Sequence, residues 1–187
     1  MMLFHQRHRF AVTLLLLSGL LPLGPAEAAP PKQPAFKLRL LKKADLPKLQ
    51  SFFAQVSARD RYQRYMGHVN KLPGCDSSMA SKSKGEVAIV AVDPKTSAII
   101  GMARSYAVDR NQRAEFSLLV RSDQQRRGIG RGLMTSIIDH NRQKGLKSLW
   151  GMVLRSNLGM LKMAGQYGFK REAGEDFSTC NVSLDLR

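Results

Sequence analysis

At 187 residues, with 43% hydrophobic and 24% charged side chains, the chain has enough apolar material for one globular domain, which excludes a disordered polymer. Lys and Arg number 30 against 14 Asp and Glu, a formal net charge of +16. That field suits a polyanion, whether nucleic acid, a membrane surface, an acidic protein or a phosphorylated cofactor. The basic residues are spread along the chain, so charge alone selects none of these and a solvated basic surface is the plainest reading.

Residues 1–28 have the three-part layout of a secretory signal or membrane anchor, the alternative being a mis-assigned start upstream of a cytosolic protein. Met1 to Arg9 carries His5, Arg7, His8 and Arg9, Phe10 to Leu21 is nearly all apolar, and Ala26-Glu27-Ala28 is a small-x-small cleavage pattern. The apolar run is short for a membrane span. Residues 29–35, with Pro30, Pro31 and Pro34, predict a stiff linker, and 36–187 form the expected folded domain.

Phe36 to Leu41 alternates apolar and basic residues, with Phe36, Leu38 and Leu40 on one face of a half-exposed strand. Asp45 is placed to cap a helix carrying Leu46, Leu49, Phe52, Phe53 and Val56 at helical spacing, with Pro47 in its first turn. A second short helix is predicted over 58–66, and Lys71 to Lys84, with Pro73, Gly74 and its serines, reads as a loop. Val87 to Val92 is a buried strand ended by Asp93-Pro94. Ile99 to Val108 and Ala114 to Val120 complete a meander around a polar turn at 109–113.

From Gly128 the period changes. Ile129, Leu133, Met134, Ile137 and Ile138 share a helix face that ends near Lys144-Gly145. A strand over 149–154, a helix over 157–166 and two terminal strands follow, the last at 180–186. This is a mixed α/β order. Trp150 is expected in the core or at the sheet edge, and His140 as a solvated or packed side chain. Cys75 and Cys180 stand in no metal or redox spacing and read as unrelated thiols. None of the histidines has a neighbouring ligand at useful spacing, so no metal is expected.

The chemistry concentrates between Glu115 and Gly132, where a strand, an Arg/Gln-rich loop and a helix opening on Gly128, Gly130 and Gly132 follow one another. Glycines let a backbone close on a phosphate, and the first-turn amides of a helix present unpaired N–H groups to it. Arg126, Arg127 and Arg131 add positive charge around the same turn, so a pyrophosphate is the ligand such a cradle suits. There is no Gly-Lys-Ser/Thr, and the glycine spacing is not that of a dinucleotide site.

What remains, Gln125-Arg126-Arg127-Gly128-Ile129-Gly130, is a Q-x-x-G-x-G loop following a strand that ends Leu119-Val120. Here the chain resembles the GNAT acetyltransferases, whose acetyl-CoA loop reads R/Q-x-x-G-x-G/A. Leu154-Arg155-Ser156-Asn157 and Tyr167-Gly168-Phe169 are similar to the family's downstream strand end and Gly-Phe, and the likeness runs over roughly 36–187. Within the family, three segments look most like the acetyltransferase domain of bacterial protein lysine acetyltransferases, the kind that modify acetyl-CoA synthetase. They are Ala114 to Asp123, Ser57-x-x-x-Arg61-Tyr62-x-Arg64-Tyr65 and Leu154-x-x-Asn157-x-x-Met160.

The resemblance implies a central, mostly antiparallel twisted sheet with a splayed parallel strand pair and about four helices. It also implies acetyl-CoA as acyl donor, with Leu119, Val120 and Arg121 presenting backbone to the pantetheine arm. Gln125, Arg126, Arg127, Gly128, Ile129, Gly130 and Arg131 meet the pyrophosphate. Asn157 bonds the pantetheine, although an asparagine there is also an ordinary N-cap. Glu115 is the candidate general base for an attacking amine; the alternative is a carboxylate paired with Arg113 or Arg104. The family's thiolate-protonating tyrosine position is Ala164 here, and Tyr167 reads as packing beside Phe169. Arg61, Tyr62 and Arg64 are weak candidates for the acceptor side.

The expected function is therefore acetyl transfer to an amine, with a protein lysine on an acidic partner favoured by the chain's charge. A small-molecule amine acceptor, and an acetyl-CoA-binding module without turnover, stay open. A nucleic-acid-binding role has no helix-turn-helix, zinc or RNP signature behind it, and membrane contact is expected only through the N-terminal segment. That segment points to export or anchoring, whereas acetyl-CoA chemistry implies the cytoplasm.

Overall fold

The computed structural model describes residues 36–78, 85–109 and 112–187; the signal-like segment and the linker lie outside them. A compact unit spans Pro34–Arg187. Its elements in chain order are β1 (Lys37–Leu40), α1 (Leu46–Ala54), α2 (Ala58–Tyr65), α3 (Gly74–Ser78), β2 (Glu86–Val92), β3 (Ile99–Val108) and β4 (Arg113–Val120). Then follow α4 (Ile129–Gln143), β5 (Ser148–Leu154), α5 (Leu158–Gln166), β6 (Lys170–Ala173) and β7 (Thr179–Asp185). Short 3-10 turns at Lys43–Asp45 and Ser122–Gln124 join them.

The seven strands form one sheet in the order β1-β2-β3-β4-β5-β7-β6. Every neighbouring pair is antiparallel except β4 and β5. That parallel pair is short: Arg113, Ala114 and Glu115 align with Ser148, Leu149 and Trp150, after which the two strands run on without pairing to each other. The mixed α/β fold with a splayed parallel pair is as expected, with α3 as an additional helix in a segment that reads as loop from its Pro, Gly and serines.

The hydrophobic pattern explains the layers. In β2, Ile89 and Ala91 face a core shared with Leu133, Met134, Ile137 and Ile138 of α4. Ala88, Val90 and Val92 face a second core with Leu49, Phe52 and Val56 around α1. Because both faces of the sheet centre are covered, β2 is a continuous apolar run rather than an alternating one. Strand β1 keeps its alternation because it is an edge: Phe36 and Leu38 pack near Gly132 of α4, while Leu40 lies beyond that cover and is 50% exposed.

Two readings need correction. Asp45 does not cap α1. Its carboxylate turns back, accepting the Lys42 N–H at 2.9 Å and two Arg39 guanidinium bonds at 2.6 and 2.8 Å, and so closes the 3-10 turn. Helix α1 instead opens with Pro47 in its first turn, where no N–H is needed. Trp150 is neither core nor sheet edge: it stands in an interior strand between Ser183 and Glu115, half-buried at the fork of β4 and β5. Helix α2 starts as expected, with the Ser57 hydroxyl capping the Asp60 N–H at 3.1 Å. Cys75 is exposed in α3 and Cys180 is buried in β7, and they form no disulfide.

Candidate active site

Where β4 and β5 part, the sheet opens into a cleft of about 660 Å³. One wall is β4 from Glu115 to Val120 and the other is β5 from Trp150 to Val153. Past Glu115, β4 pairs with β3 on one side only, so the other edge of its backbone faces the cleft and can accept an extended ligand as an added strand. Gln125, Arg126 and Gly130 line the cleft from the loop and the first turn of α4, Asn157, Met160 and Met163 from the α5 side, and Asp60, Gln63 and Arg64 from α2.

The loop has the backbone that an anion cradle requires. Gly128 is the N-cap of α4 at φ 82, with open space where a Cβ would stand, and having no side chain it leaves the first-turn amides uncapped. Arg126 is also left-handed, at φ 60, a conformation that costs a β-carbon-bearing residue about 1–2 kcal/mol. This strained arginine lines the cleft. The residues therefore fit a pyrophosphate-bearing ligand: open amides on a 15-residue helix, an adjacent guanidinium, and an unpaired strand edge for an extended arm.

The loop is held against α2 by one carboxylate. Asp60 Oδ2 accepts from Ser122 Oγ at 2.5 Å, from Ser57 Oγ at 2.9 Å and from Gln125 Nε2 at 3.0 Å. Arg121 adds a second tie, bonding Gln55 at 3.0 Å and Asp123 at 2.7 Å and holding that carboxylate below the usual range. These α2 contacts were not legible in the sequence, since a helical Asp 65 residues before Gln125 carries no local signal for the loop.

Of the expected site residues, Glu115, Leu119, Val120, Gln125, Arg126, Gly130 and Asn157 come together on the cleft. The side chains of the others point elsewhere or are engaged. Ile129 is in the core, Arg127 binds Gln124, Arg131 binds Gln166 at 2.8 Å, and Arg121 is tied as described. For Gly128, Ile129 and Arg131 what remains available to a ligand is backbone. Asn157 caps α5, accepting the Met160 N–H at 3.1 Å, and it also lines the cleft.

Glu115 is half-buried, and its partner is neither Arg113 nor Arg104. Tyr106 donates its hydroxyl to Glu115 Oε2. Arg113 pairs with Asp109, and Arg104 with the fully buried Asp76, which also accepts from Tyr65 and lies 3.7 Å from Arg64. Of the α2 candidates for the acceptor side, Arg64 lines the cleft. Arg61 instead lies over the Phe53 ring at 5.3 Å and Tyr62 against His68 at 5.3 Å. Tyr167 donates to the Arg131 carbonyl at 2.8 Å and contacts Thr135, so its hydroxyl is bound to α4. The Trp150 Nε1 is buried without a hydrogen-bond partner among the described residues. Among those residues no group of three His, Cys, Asp or Glu is placed to hold a metal, and no helix is long and apolar enough to cross a membrane.

Solved structures share this architecture. The GNAT domain of S. lividans PAT superposes with a TM-score of 0.74 at 21% identity, over 80% of this chain and 90% of that one. Salmonella typhimurium yncA, solved with its cofactor acetyl-CoA, gives 0.63 at 17% over 82% and 95%. The Vibrio cholerae spermidine N-acetyltransferase, in complex with CoA and spermine, gives 0.65 at 16% over 81% and 96%. At such identities these likenesses establish the fold alone. Residues 49–169 match the family model described as the Acetyltransferase (GNAT) family, and that match, which covers more than half of the sequence, makes this chain a member of the GNAT acetyltransferases, enzymes that take their acetyl group from acetyl-CoA and pass it to an amine.

Proposed function

We propose that this chain acetylates the side-chain amine of a protein lysine, with Glu115 as the general base. The observation that carries the reading is the placement of Glu115 at the last paired position of the β4–β5 fork, on the wall of the same cleft that receives the loop Gln125–Gly130. When bound, acetyl-CoA supplies the thioester that an amine attacks. The α4 amides, Gln125 and Arg126 would hold its phosphates, and the Leu119–Arg121 backbone its pantetheine arm. The attacking amine must first lose a proton, and a carboxylate at the fork can take it directly or through a water. The thiolate is a tolerable leaving group, so solvent can supply its proton.

A protein acceptor is supported by charge. With a net +16 the surface repels free polyamines and attracts an acidic protein face. The resemblance of the Ser57–Tyr65 and Ala114–Asp123 segments to protein lysine acetyltransferases points the same way. The first test is calorimetric titration of the full-length chain with acetyl-CoA, beside Gly128→Glu. Saturable binding that the variant loses while remaining folded supports the cradle; a folded wild type that does not bind overturns it. Turnover is then compared for Glu115→Gln, with poly-L-lysine and with spermidine as acceptors. Loss of roughly 100-fold or more supports the base. Unchanged turnover refutes it, and a preference for spermidine refutes the protein acceptor.

A further inference from the structure

We infer that Tyr106 is a positioning residue for the base, holding one oxygen of Glu115 so that the other is presented to the attacking amine. This rests on the reading of Glu115 as the base. The register of the β3–β4 pair sets Tyr106 directly opposite Glu115, on the same face of the sheet. The hydroxyl donates to Oε2, and among the described residues Oε1 has no hydrogen-bond partner. Oε1 is therefore the oxygen left to receive a proton from the amine, while the tyrosine keeps its own.

Tyr106 is itself fixed from behind. Two residues earlier on the same face of β3, Arg104 carries its guanidinium 5.6 Å from the Tyr106 ring centroid. Arg104 is anchored in turn by Asp76, whose side chain is wholly buried. The chain of contacts therefore runs from a buried ion pair, through an aromatic ring, to the carboxylate at the fork. Such support keeps a reacting group within a narrow range of orientations, and misplacement of even one ångström is costly in rate.

The charged groups facing the pair are Arg104 from β3 and Arg64 from α2, both beside Asp76 of α3; from β5 the neighbour is the uncharged Trp150. Burial first, and the Glu115 carboxylate second, push the Tyr106 hydroxyl up to about 12, so it remains a donor across the working pH range. The sequence shows none of this. A tyrosine nine residues before the glutamate acquires a role only once the hairpin register is known.

The test compares the full-length chain with Tyr106→Phe and Glu115→Gln in two readouts. The first is the kcat and KM of coenzyme A release from acetyl-CoA with poly-L-lysine as acceptor. The second is the ¹³Cζ titration of Tyr106 in the free protein, assigned by its loss in Tyr106→Phe. Without the hydroxyl the carboxylate keeps its place but loses its hold on Oε2, so Tyr106→Phe should lower kcat by roughly 5- to 50-fold with little change in KM, part of what a general base contributes.

An unchanged kcat in a folded Tyr106→Phe protein overturns the inference. If the Tyr106 titration moves in Glu115→Gln but that variant turns over like the wild type, the base reading fails and the positioning role falls with it. Should Tyr106→Phe not fold, the Tyr106 ¹³Cζ titration in Glu115→Gln carries the same test. Loss of the carboxylate charge should bring the tyrosine down toward the ordinary range, and an unmoved tyrosine overturns the pairing.

Discussion

Glu115 on β4 and Trp150 on β5 are the last residues aligned across the parallel junction, and beyond them the two strands separate. The next residue on β5 is Gly151, and a Cβ there would lie 3.0 Å from Phe116 Cε1 and 3.1 Å from the Phe116 carbonyl oxygen. A backbone oxygen cannot swing aside as a side-chain tip can. The close approach of the two strands at the mouth of the fork therefore depends on this glycine. Gly151→Ala should cost roughly 1–3 kcal/mol in urea unfolding and weaken acetyl-CoA binding, since the added methyl pushes on the cleft wall itself.

Asp60 is a carboxylate set beside the loop proposed to hold the phosphates, where its charge alone would oppose them. The hydrogen bonds it accepts from Ser122 and Gln125 have the opposite consequence, because they fasten the loop to α2, while Ser57 at the start of the same helix engages it locally. Ordering should outweigh repulsion, since the charge is already engaged by its donors. Asp60→Ala should therefore speed amide exchange over residues 121–127 and raise the Kd for acetyl-CoA by roughly three- to ten-fold, or about 1 kcal/mol. Tighter binding in this variant would show that repulsion dominates.

Asp76 has no exposure, and it receives Arg104 and Tyr65 directly with Arg64 at 3.7 Å. Burial first, and then Asp76, push the Tyr65 hydroxyl well above the usual phenol range. Removing the carboxylate strands the buried Arg104 charge. Asp76→Ala should lower stability by about 3–5 kcal/mol, read as a fall in the urea midpoint. Because Arg104 also supports Tyr106, the variant should lose activity even where it remains folded.

The Asp45–Arg39 pair predicts a pH dependence. The Arg39 hydrogen bonds hold the Asp45 carboxyl below the usual carboxylate range. A depressed acid contributes stability that is present above its unfolded value, about 3.9, and is lost as pH falls through the folded value. Asp45→Asn should cost about 1 kcal/mol at pH 7, a modest figure because Arg39 is partly exposed. Unfolding at pH 3 should show a smaller difference, and an equal penalty at both pH values would exclude the ion pair as its cause.

Periodicity and turn chemistry were enough to place β1 to β5, β7, α1, α4 and α5 close to their observed bounds, because each has its own apolar residues and punctuation; α2 buries nothing yet lies where it is expected, and β6, exposed throughout, is expected only as a terminal strand without bounds. Gly145 at φ 74 and Gly168 at φ 81 end α4 and α5 as their positions indicate. Helix α3 was missed because nothing apolar marks it: among its described side chains the buried one is Asp76, which is stabilised by arginines on other elements. Asp45 was misassigned for a related reason. A carboxylate at a helix start usually caps the helix, but here Arg39, across the turn from β1, took it first.

By itself the sequence determined the family, the phosphate-suited loop and the candidate carboxylate, because glycine spacing, helix starts and apolar period are local properties of the chain. Tertiary structure alone decided the cleft and which side chains meet on it. The cleft exists because β4 and β5 stay paired for so short a distance, and its α2 wall, the Asp60 tie and the partnering of Glu115 by Tyr106 join residues separated along the chain. Such contacts follow from strand register and from how helices pack on the sheet, and neither leaves a mark in the local sequence.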